Sequence, residues 1–334
     1  MHFLVTGAAG FVGFHVGRML LRAGHAVTGV DSLNDYYDPT LKRERIAQLR
    51  GLPGFSFERL DLADPRALLE LPARDDIDRV IHLAAQAGVR HAVERPFAYT
   101  SSNVTGHLSV LEFCRQAARQ PLLVYASSSS VYGVGAKSPY KEDRPLGRPV
   151  SLYAATKRAD ELMSESYAAL YGLKQIGARL FTVYGPWGRP DMAYWLFAQK
   201  ILRGEPVQLF NGGAMKRDFT YIDDVADALV SIARDEPAAL SDLPTPHAIY
   251  NIGSGQATPL MDLISVIEDA AGRRATCEPL PMQPGDVVET CADIQKAAQD
   301  YGYEPATELR EGVSIFVDWL RRREAPAARL ASQV

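Results

Sequence analysis

Tyr153 and Lys157 stand four residues apart in Ser151-Leu152-Tyr153-Ala154-Ala155-Thr156-Lys157. On a helix that spacing puts both side chains on one face. An ammonium beside a phenol favours the phenolate, so the pair reads as a base with its activator. An ordinary amphipathic helix would carry the same pair, and the spacing alone does not decide. Ser127-Ser128-Ser129-Ser130 adds to it, because the run follows the apolar segment Leu122–Ala126 directly. Hydroxyls at the carboxyl end of a buried strand face the ligand crevice of an open α/β sheet. A plain polar loop needs no such strand before it.

A glycine-rich turn supplies the third element. Gly7-Ala8-Ala9-Gly10-Phe11-Val12-Gly13 lies between the apolar run Phe3–Thr6 and a segment with helical spacing, Phe11–Ala23. One glycine permits the turn, one lets a pyrophosphate approach the backbone, and one lets helix and strand pack closely. The free N–H groups and positive dipole end of the helix suit phosphates. Asp31 closes a second apolar run, Ala26–Val30. A carboxylate there accepts hydrogen bonds from a ribose diol and repels a 2′-phosphate. The order of strand, glycines, helix, strand and acid points to a dinucleotide, NAD and not NADP. Asp61-Leu62 is placed at the adenine, and Leu83-Ala84-Ala85 is small enough for the dinucleotide to lie against it. Lys157 then doubles as a ribose ligand.

Alternating elements are needed to hold these groups together. Further strands are expected at Phe55–Arg59, Arg79–Leu83 and Gln175–Leu180, with helices at Val104–Gln120 and Tyr153–Tyr171. That alternation predicts an α/β fold, a Rossmann-type doubly wound parallel sheet with helices on both faces. After residue 180 prolines and glycines become frequent and the elements shorten. The expected division is a NAD-binding domain at 1–180, with 217–253 (helix Ile222–Arg234, strand Ala248–Ile252) returning to it. Residues 181–216 and 254–324 form a smaller, discontinuous α/β substrate domain, and 325–334 a frayed tail.

Composition excludes several function classes. A chain of 334 residues is about two domains at roughly 150 residues each. With 47% hydrophobic and 23% charged residues it is neither disordered nor fibrous. Lys plus Arg is 36 and Asp plus Glu is 40, a formal net charge of −4, so no basic field draws nucleic acid or an anionic membrane. Cys114, Cys277 and Cys291 are scattered and suit a reducing compartment. The 7 histidines include no His-x-x-x-His pair, so no metal site is expected. The apolar runs are too short to span a bilayer, and Met1–Gly7 enters a strand at once, which makes the cytoplasm the expected location.

Taken together, Gly7-x-x-Gly10-x-x-Gly13, the serine-rich turn before Val131-Tyr132-Gly133, and Tyr153-x-x-x-Lys157 resemble the extended short-chain dehydrogenase/reductases over about residues 2–320. Phe181-Thr182-Val183-Tyr184-Gly185-Pro186-Trp187-Gly188-Arg189-Pro190-Asp191-Met192 is more specific. With the segment Met215 to Asp224, it is similar to the bacterial UDP-glucuronate 4-epimerases. The resemblance implies tightly bound NAD, recycled within the site, and a UDP-sugar substrate. It also implies a homodimer joined by a four-helix bundle of Val104–Gln120 and Tyr153–Tyr171 from each chain. Tyr153, Lys157 and Ser128 become the catalytic residues. Phe11, Val12, Asn34, Asn103 and Tyr184 join the cofactor contacts. Gln86, Ser127, Ser129, Thr182 and Arg189 go to the sugar, Arg217 to the diphosphate and Asp286 to the uridine ribose.

The implied reaction interconverts UDP-glucuronate and UDP-galacturonate through transient oxidation at sugar carbon 4. Relatives that dehydrate or decarboxylate the same keto-sugar carry acids where this chain has Ser129 and Ser130. Relatives resembling UDP-galactose 4-epimerases carry Asn where this chain has Thr182, while the Arg189 fork matches a carboxylate bidentately. Ser32 departs from the Asn that many relatives have after the ribose-binding acid. Two other readings remain: a UDP-glucose/UDP-galactose or other sugar-nucleotide epimerase, and a non-catalytic dinucleotide-sensing protein of the same fold.

Overall fold

The computed structural model describes residues 1–331 apart from 90, 236–239, 241–242 and 284–285, with side chains to residue 325. The chain forms strands β1 (His2–Thr6), β2 (Ala26–Asp31), β3 (Phe55–Arg59), β4 (Arg79–His82), β5 (Leu122–Ser128) and β6 (Gln175–Leu180). All but β3, which alternates Phe with polar residues and is only partly buried, are buried along most of their length, as suits strands covered on both faces. With a later strand at His247–Ile252 they form a seven-stranded parallel sheet among the described residues. That last strand pairs with β6, and the order then runs through β5, β4, β1 and β2 to β3. The chain starts at β1, winds out to β3, then returns past β1 to β4. The crevice between β1 and β4 is therefore the topological switch point, where such sheets bind ligands.

Helices α1 (Phe11–Arg22) and α2 (Pro39–Arg50) cover one flank. The start of α2 follows from Asp38, whose carboxylate accepts the Thr40 N–H at 2.9 Å, and from Pro39 in the first turn. The helix expected at Val104–Gln120 is built differently. The chain coils from α3 (His91–Glu94) and α4 (Pro96–Tyr99) through a π-helical segment, Thr100–Thr105, into α5 (Gly106–Gln116). It stops short of Gln120, because Ala117 is extended and Gln120 precedes Pro121, which disfavours helical backbone. Helix α6 (Leu152–Tyr171) starts one residue before expected, capped by the Ser151 hydroxyl on the Ala154 N–H at 3.1 Å.

β5 runs two residues beyond the expected end. β6 continues alongside, matching Ser127 with Arg179 and Ser128 with Leu180, so the first two serines are strand residues. Beyond β6, β7 (Thr182–Tyr184), helix α7 (Ala193–Arg203), β8 (Val207–Phe210), β9 (Lys216–Arg217) and β10 (Phe219–Tyr221) follow. β10 pairs with β7 outside the main sheet, while α8 (Ile222–Arg234) packs on α1 and β11 (His247–Ile252) completes the sheet. The chain ends through β12 (Thr258–Pro259), α9 (Leu260–Ala271), β13 (Cys277–Leu280), α10 (Gln295–Tyr301) and α11 (Leu309–Ala331). The tail expected to fray from residue 325 is helical to Ala331, in keeping with its Ala and Arg content; 332–334 lie outside the described residues. One buried apolar cluster joins Phe3, Val5 and Ile176 of the sheet region to Ile201, Leu263 and Phe316 of the later helices.

Candidate active site

The glycine turn is built by contact with the end of β4. Gly7 has φ +69, and a Cβ on it would come within 2.7 Å of the Ala84 backbone nitrogen. A Cβ on Gly13 would collide with the Gly7 carbonyl. Thr6 fastens the same junction, its hydroxyl accepting the Leu83 and Ala84 N–H groups at 3.1 and 3.2 Å. No side chain caps α1 at Gly10, so the first-turn N–H groups remain available to phosphate oxygens. Asp31 closes β2, with its carboxylate accepting the Leu33 N–H at 2.8 Å and the Ala9 N–H at 3.1 Å. Burial pushes its carboxyl above the usual range, against those bonds and the nearby Lys42 charge.

One cleft, partly open to solvent, collects most of the expected site. Its wall includes Gly7, Gly10, Phe11, Val12, Gly13, Asp31, Asn34, Asp61, Leu62 and Leu83 to Gln86. Across from that nucleotide end, Ser127, Ser128, Tyr153, Lys157 and Arg189 line the same cleft. Ser128 ends β5 and its hydroxyl accepts the Ser130 N–H at 3.2 Å. The Ser127 hydroxyl donates to Glu161 at 2.6 Å, and Glu161 is held by Arg179 through two bonds of 2.9 Å. Tyr153 sits in the first turn of α6, its ring nearly perpendicular to that of Tyr99 at 6.4 Å. Lys157 donates to the Ala126 carbonyl and to Asp160, each at 3.0 Å. Burial works against the Lys157 charge, yet Asp160 and Tyr153 beside it keep its ammonium above the ordinary range.

Six expected contacts lie off this wall. Asn103 is buried in the π-helical segment and is fully engaged: it accepts the Gln86 N–H at 2.7 Å and donates to the Gln86 carbonyl and the Thr156 hydroxyl. It therefore shapes the site through Gln86 instead of lining the cleft. Tyr184 is completely buried among Tyr194, Phe219 and Tyr221, its hydroxyl against Gly312. Its place on β7 turns it into the later helices. Thr182 is the neighbour of two lining residues, Phe181 and Val183, without being one itself, and Ser129 lies just past Ser128 in the same way. Arg217 and Asp286 sit apart from the cleft and pair with each other at 2.8 Å.

Four polar residues that the motifs did not single out organise the site. Asp160 is completely buried on Lys157, and burial pushes its carboxyl up to about 6 despite the ammonium. Its spacing of three from Lys157 was the available signal. Lys42 donates to the Asn34 side-chain oxygen at 2.6 Å and so fixes a wall residue. Arg45, also fully buried, donates to the Ala9 carbonyl (2.8 Å), the Trp187 carbonyl (3.1 and 2.6 Å), the Gly188 carbonyl (2.7 Å) and the Tyr37 hydroxyl (2.7 Å). It ties the glycine turn to the loop that carries Arg189. In that loop Trp187 takes φ +61, a left-handed backbone rare for a bulky residue. Asp191 pairs with Arg189. Although burial pulls the other way, Arg189 holds the Asp191 carboxyl below the usual range.

Comparison with known proteins agrees with this architecture. The model of the NAD dependent epimerase/dehydratase family matches residues 3–253. UDP-glucuronate 4-epimerase 4 of Arabidopsis thaliana is 44% identical over 325 residues, covering 95% of this chain and 74% of that protein. A probable UDP-glucuronate 4-epimerase of Rhizobium meliloti is 42% identical over 330 residues, covering 96% of each. The crystal structure of UDP-glucuronic acid 4-epimerase from Bacillus cereus, with UDP-glucuronic acid and NAD, superposes with a TM-score of 0.87 at 33% identity. That match covers 97% of this chain and 100% of the other.

Proposed function

The chain belongs to the NAD dependent epimerase/dehydratase family, and on that premise we propose that it is a UDP-glucuronate 4-epimerase, interconverting UDP-glucuronate and UDP-galacturonate. One observation carries the reading. The glycine turn and Asp31 share a single cleft with Ser128, Tyr153, Lys157 and a guanidinium, Arg189.

The residues present fit NAD. The turn has no room for side chains at Gly7 or Gly13, the α1 N-terminus offers free N–H donors, and Asp31 presents a carboxylate at the ribose position. Bound NAD would supply the acceptor and donor of hydride at sugar carbon 4. Tyr153 takes the proton from the 4-hydroxyl and returns it to the same oxygen after the ring has turned over. Lys157 holds positive charge beneath the phenol and reaches the cofactor ribose. Ser128, fixed by its turn, hydrogen-bonds the reacting oxygen. The 4-keto sugar turns over about its diphosphate link between the two proton transfers.

That intermediate is a β-keto acid, which loses carbon dioxide when its carboxyl-bearing bond aligns with the ketone π system. Arg189 grips the carboxylate and keeps it out of that alignment. No carboxylic acid stands at Ser129 or Ser130 to assist elimination. Residues 181–216 and 254–324 provide the sugar-nucleotide side, and Arg217 and Asp286, paired with each other in the free protein, would part to meet the diphosphate and the uridine ribose.

We place the enzyme in the cytoplasm as a homodimer. No helix among the described residues is long and apolar enough to cross a membrane. The adjacent helices α5 and α6 expose Leu108, Leu162 and Leu170, an apolar surface suited to a second copy.

The test is direct. Incubation with UDP-glucuronate should give UDP-galacturonate, identified by NMR. Arg189→Ala should lower kcat/KM for UDP-glucuronate about ten- to a hundredfold, as expected for a lost charge-assisted pair, and raise the share of decarboxylated pentose product. Conversion of UDP-glucose alone would favour the neutral-sugar reading, and no transient nicotinamide reduction with any sugar nucleotide would favour a dinucleotide sensor.

A further inference from the structure

Arg189 does not stand free in the cleft. Its Nε donates to one Asp191 oxygen at 3.0 Å and its Nη2 to the other at 2.6 Å. Asp191 also accepts the Tyr36 hydroxyl at 2.9 Å. Tyr36 is itself wedged, its ring 4.8 Å from that of His91 and its hydroxyl filling the space a side chain at Gly88 would need. Tyr36 therefore holds Asp191, and Asp191 holds Arg189.

A guanidinium has two edges that can meet a carboxylate, the side edge of Nε and Nη2 and the end formed by Nη1 and Nη2. Asp191 takes the side edge. Nη1 has no hydrogen-bond partner among the described residues and stays in contact with solvent, while Arg189 lines the cleft. The end edge is the one left for a ligand.

We propose that Asp191, braced by Tyr36, is a positioning residue for uronate recognition: by taking the side edge of Arg189 it presents the end edge to the substrate carboxylate. The inference rests on the UDP-glucuronate reading above. An arginine free to rotate would lose rotamer entropy on gripping a ligand, and one already paired loses less. The alternative is a lock, in which Asp191 competes with the substrate and must leave. Opening the lock would strip Asp191 of both Arg189 and Tyr36, while the accessible end edge lets a carboxylate bind with both bonds intact.

Calorimetric titration of the NAD-loaded protein with UDP-glucuronate and with UDP-glucose tests this, because binding is read whether or not each sugar turns over. Asp191→Ala should weaken UDP-glucuronate about tenfold and change UDP-glucose by less than about twofold, the size expected when a charge-assisted contact loses its alignment. Tyr36→Phe, and Asp191→Asn, which keeps the shape and one acceptor, should fall between wild type and Asp191→Ala. In an Arg189→Ala background, Asp191→Ala should add nothing, since it acts only through Arg189. Tighter UDP-glucuronate binding in Asp191→Ala or Asp191→Asn would establish the lock and overturn the proposal. Equal weakening of both sugars, or an undiminished effect without Arg189, would overturn it as well. The wild-type product assay scores the carbon-4 reading separately: absence of epimerised uronate rejects that reading, whereas the binding cycle alone keeps or rejects Asp191.

Discussion

Asp160 places a carboxylate oxygen 3.0 Å from the Lys157 ammonium, and neither side chain has more than 3% of its surface exposed. The cation expected to activate Tyr153 is thus half of a buried ion pair one turn further along the same helix. The other Asp160 oxygen has no hydrogen-bond partner among the described residues. A carboxylate so placed is costly to ionise.

Stability should register that cost. Burial, against the Lys157 charge, raises the Asp160 carboxyl from 3.8 to about 6. The folded state therefore holds this proton more tightly than the unfolded chain. Its stabilising contribution is full below about pH 4 and is lost as pH rises through about 6. Two units correspond to about 3 kcal/mol. Urea midpoints of wild type and Asp160→Asn should show the wild-type advantage shrinking by up to that amount between pH 4 and pH 7. A difference that stays flat would mean that the carboxyl is ionised throughout.

Replacing Tyr153 with Phe keeps the ring that packs near Tyr99 and removes the base. Turnover at saturating UDP-glucuronate should fall at least roughly a hundredfold, with NAD still bound. Near-normal turnover would exclude Tyr153 as the base.

At Asp31 the discrimination is between cofactors. Its carboxylate should disfavour a 2′-phosphate, so apo-protein supplied with NADP should bind it at least about tenfold more weakly than NAD. Fluorescence titration measures both, and equal affinities would contradict the ribose assignment.

Arg45 gives a stability prediction that also reaches the site. Arg45→Met leaves the buried carbonyls of Ala9, Trp187 and Gly188 without their donor, which should cost on the order of 3 kcal/mol. Arg45→Lys, keeping a charge but not the fork, should fall between. Denaturation midpoints read the loss, and a rise in KM for UDP-glucuronate beyond that in NAD affinity would show the Arg189 loop loosening first. An unchanged midpoint in Arg45→Met would leave the buried fork without a structural role.

What could be read from the sequence was the local chemistry. Gly7 to Gly13, Asp31, Ser128 and the Tyr153–Lys157 pair are defined by short spacings, and the parallel sheet followed from apolar runs alternating with helices. The residues that hold those groups in place have remote partners. Arg45 meets Ala9 and Trp187, and neither neighbourhood signals the other in one dimension. Asp191 and Asp160 lie close to Arg189 and Lys157 in the chain, but a nearby carboxylate reads as a solvated charge until its burial is known. Tyr184 and Asn103 lie off the cleft wall for the converse reason: their side-chain direction depends on which face of β7 is covered and on the π-helical turn at Thr100–Thr105, neither of which shows in a short spacing.

The order of strands sets a schedule for the growing polypeptide. When Leu180 emerges from the ribosome, β6 is the outer strand of a parallel sheet, with its free edge facing solvent. Its partner, His247–Ile252, is not made until the whole intervening stretch has been translated. Through that interval the nascent chain carries an unpaired edge of the kind that recruits other chains. The same holds for any fragment cut near residue 180. The nucleotide-binding half is therefore not a detachable cassette: moved to another protein without residues 247–252, it would bring a sticky border with it.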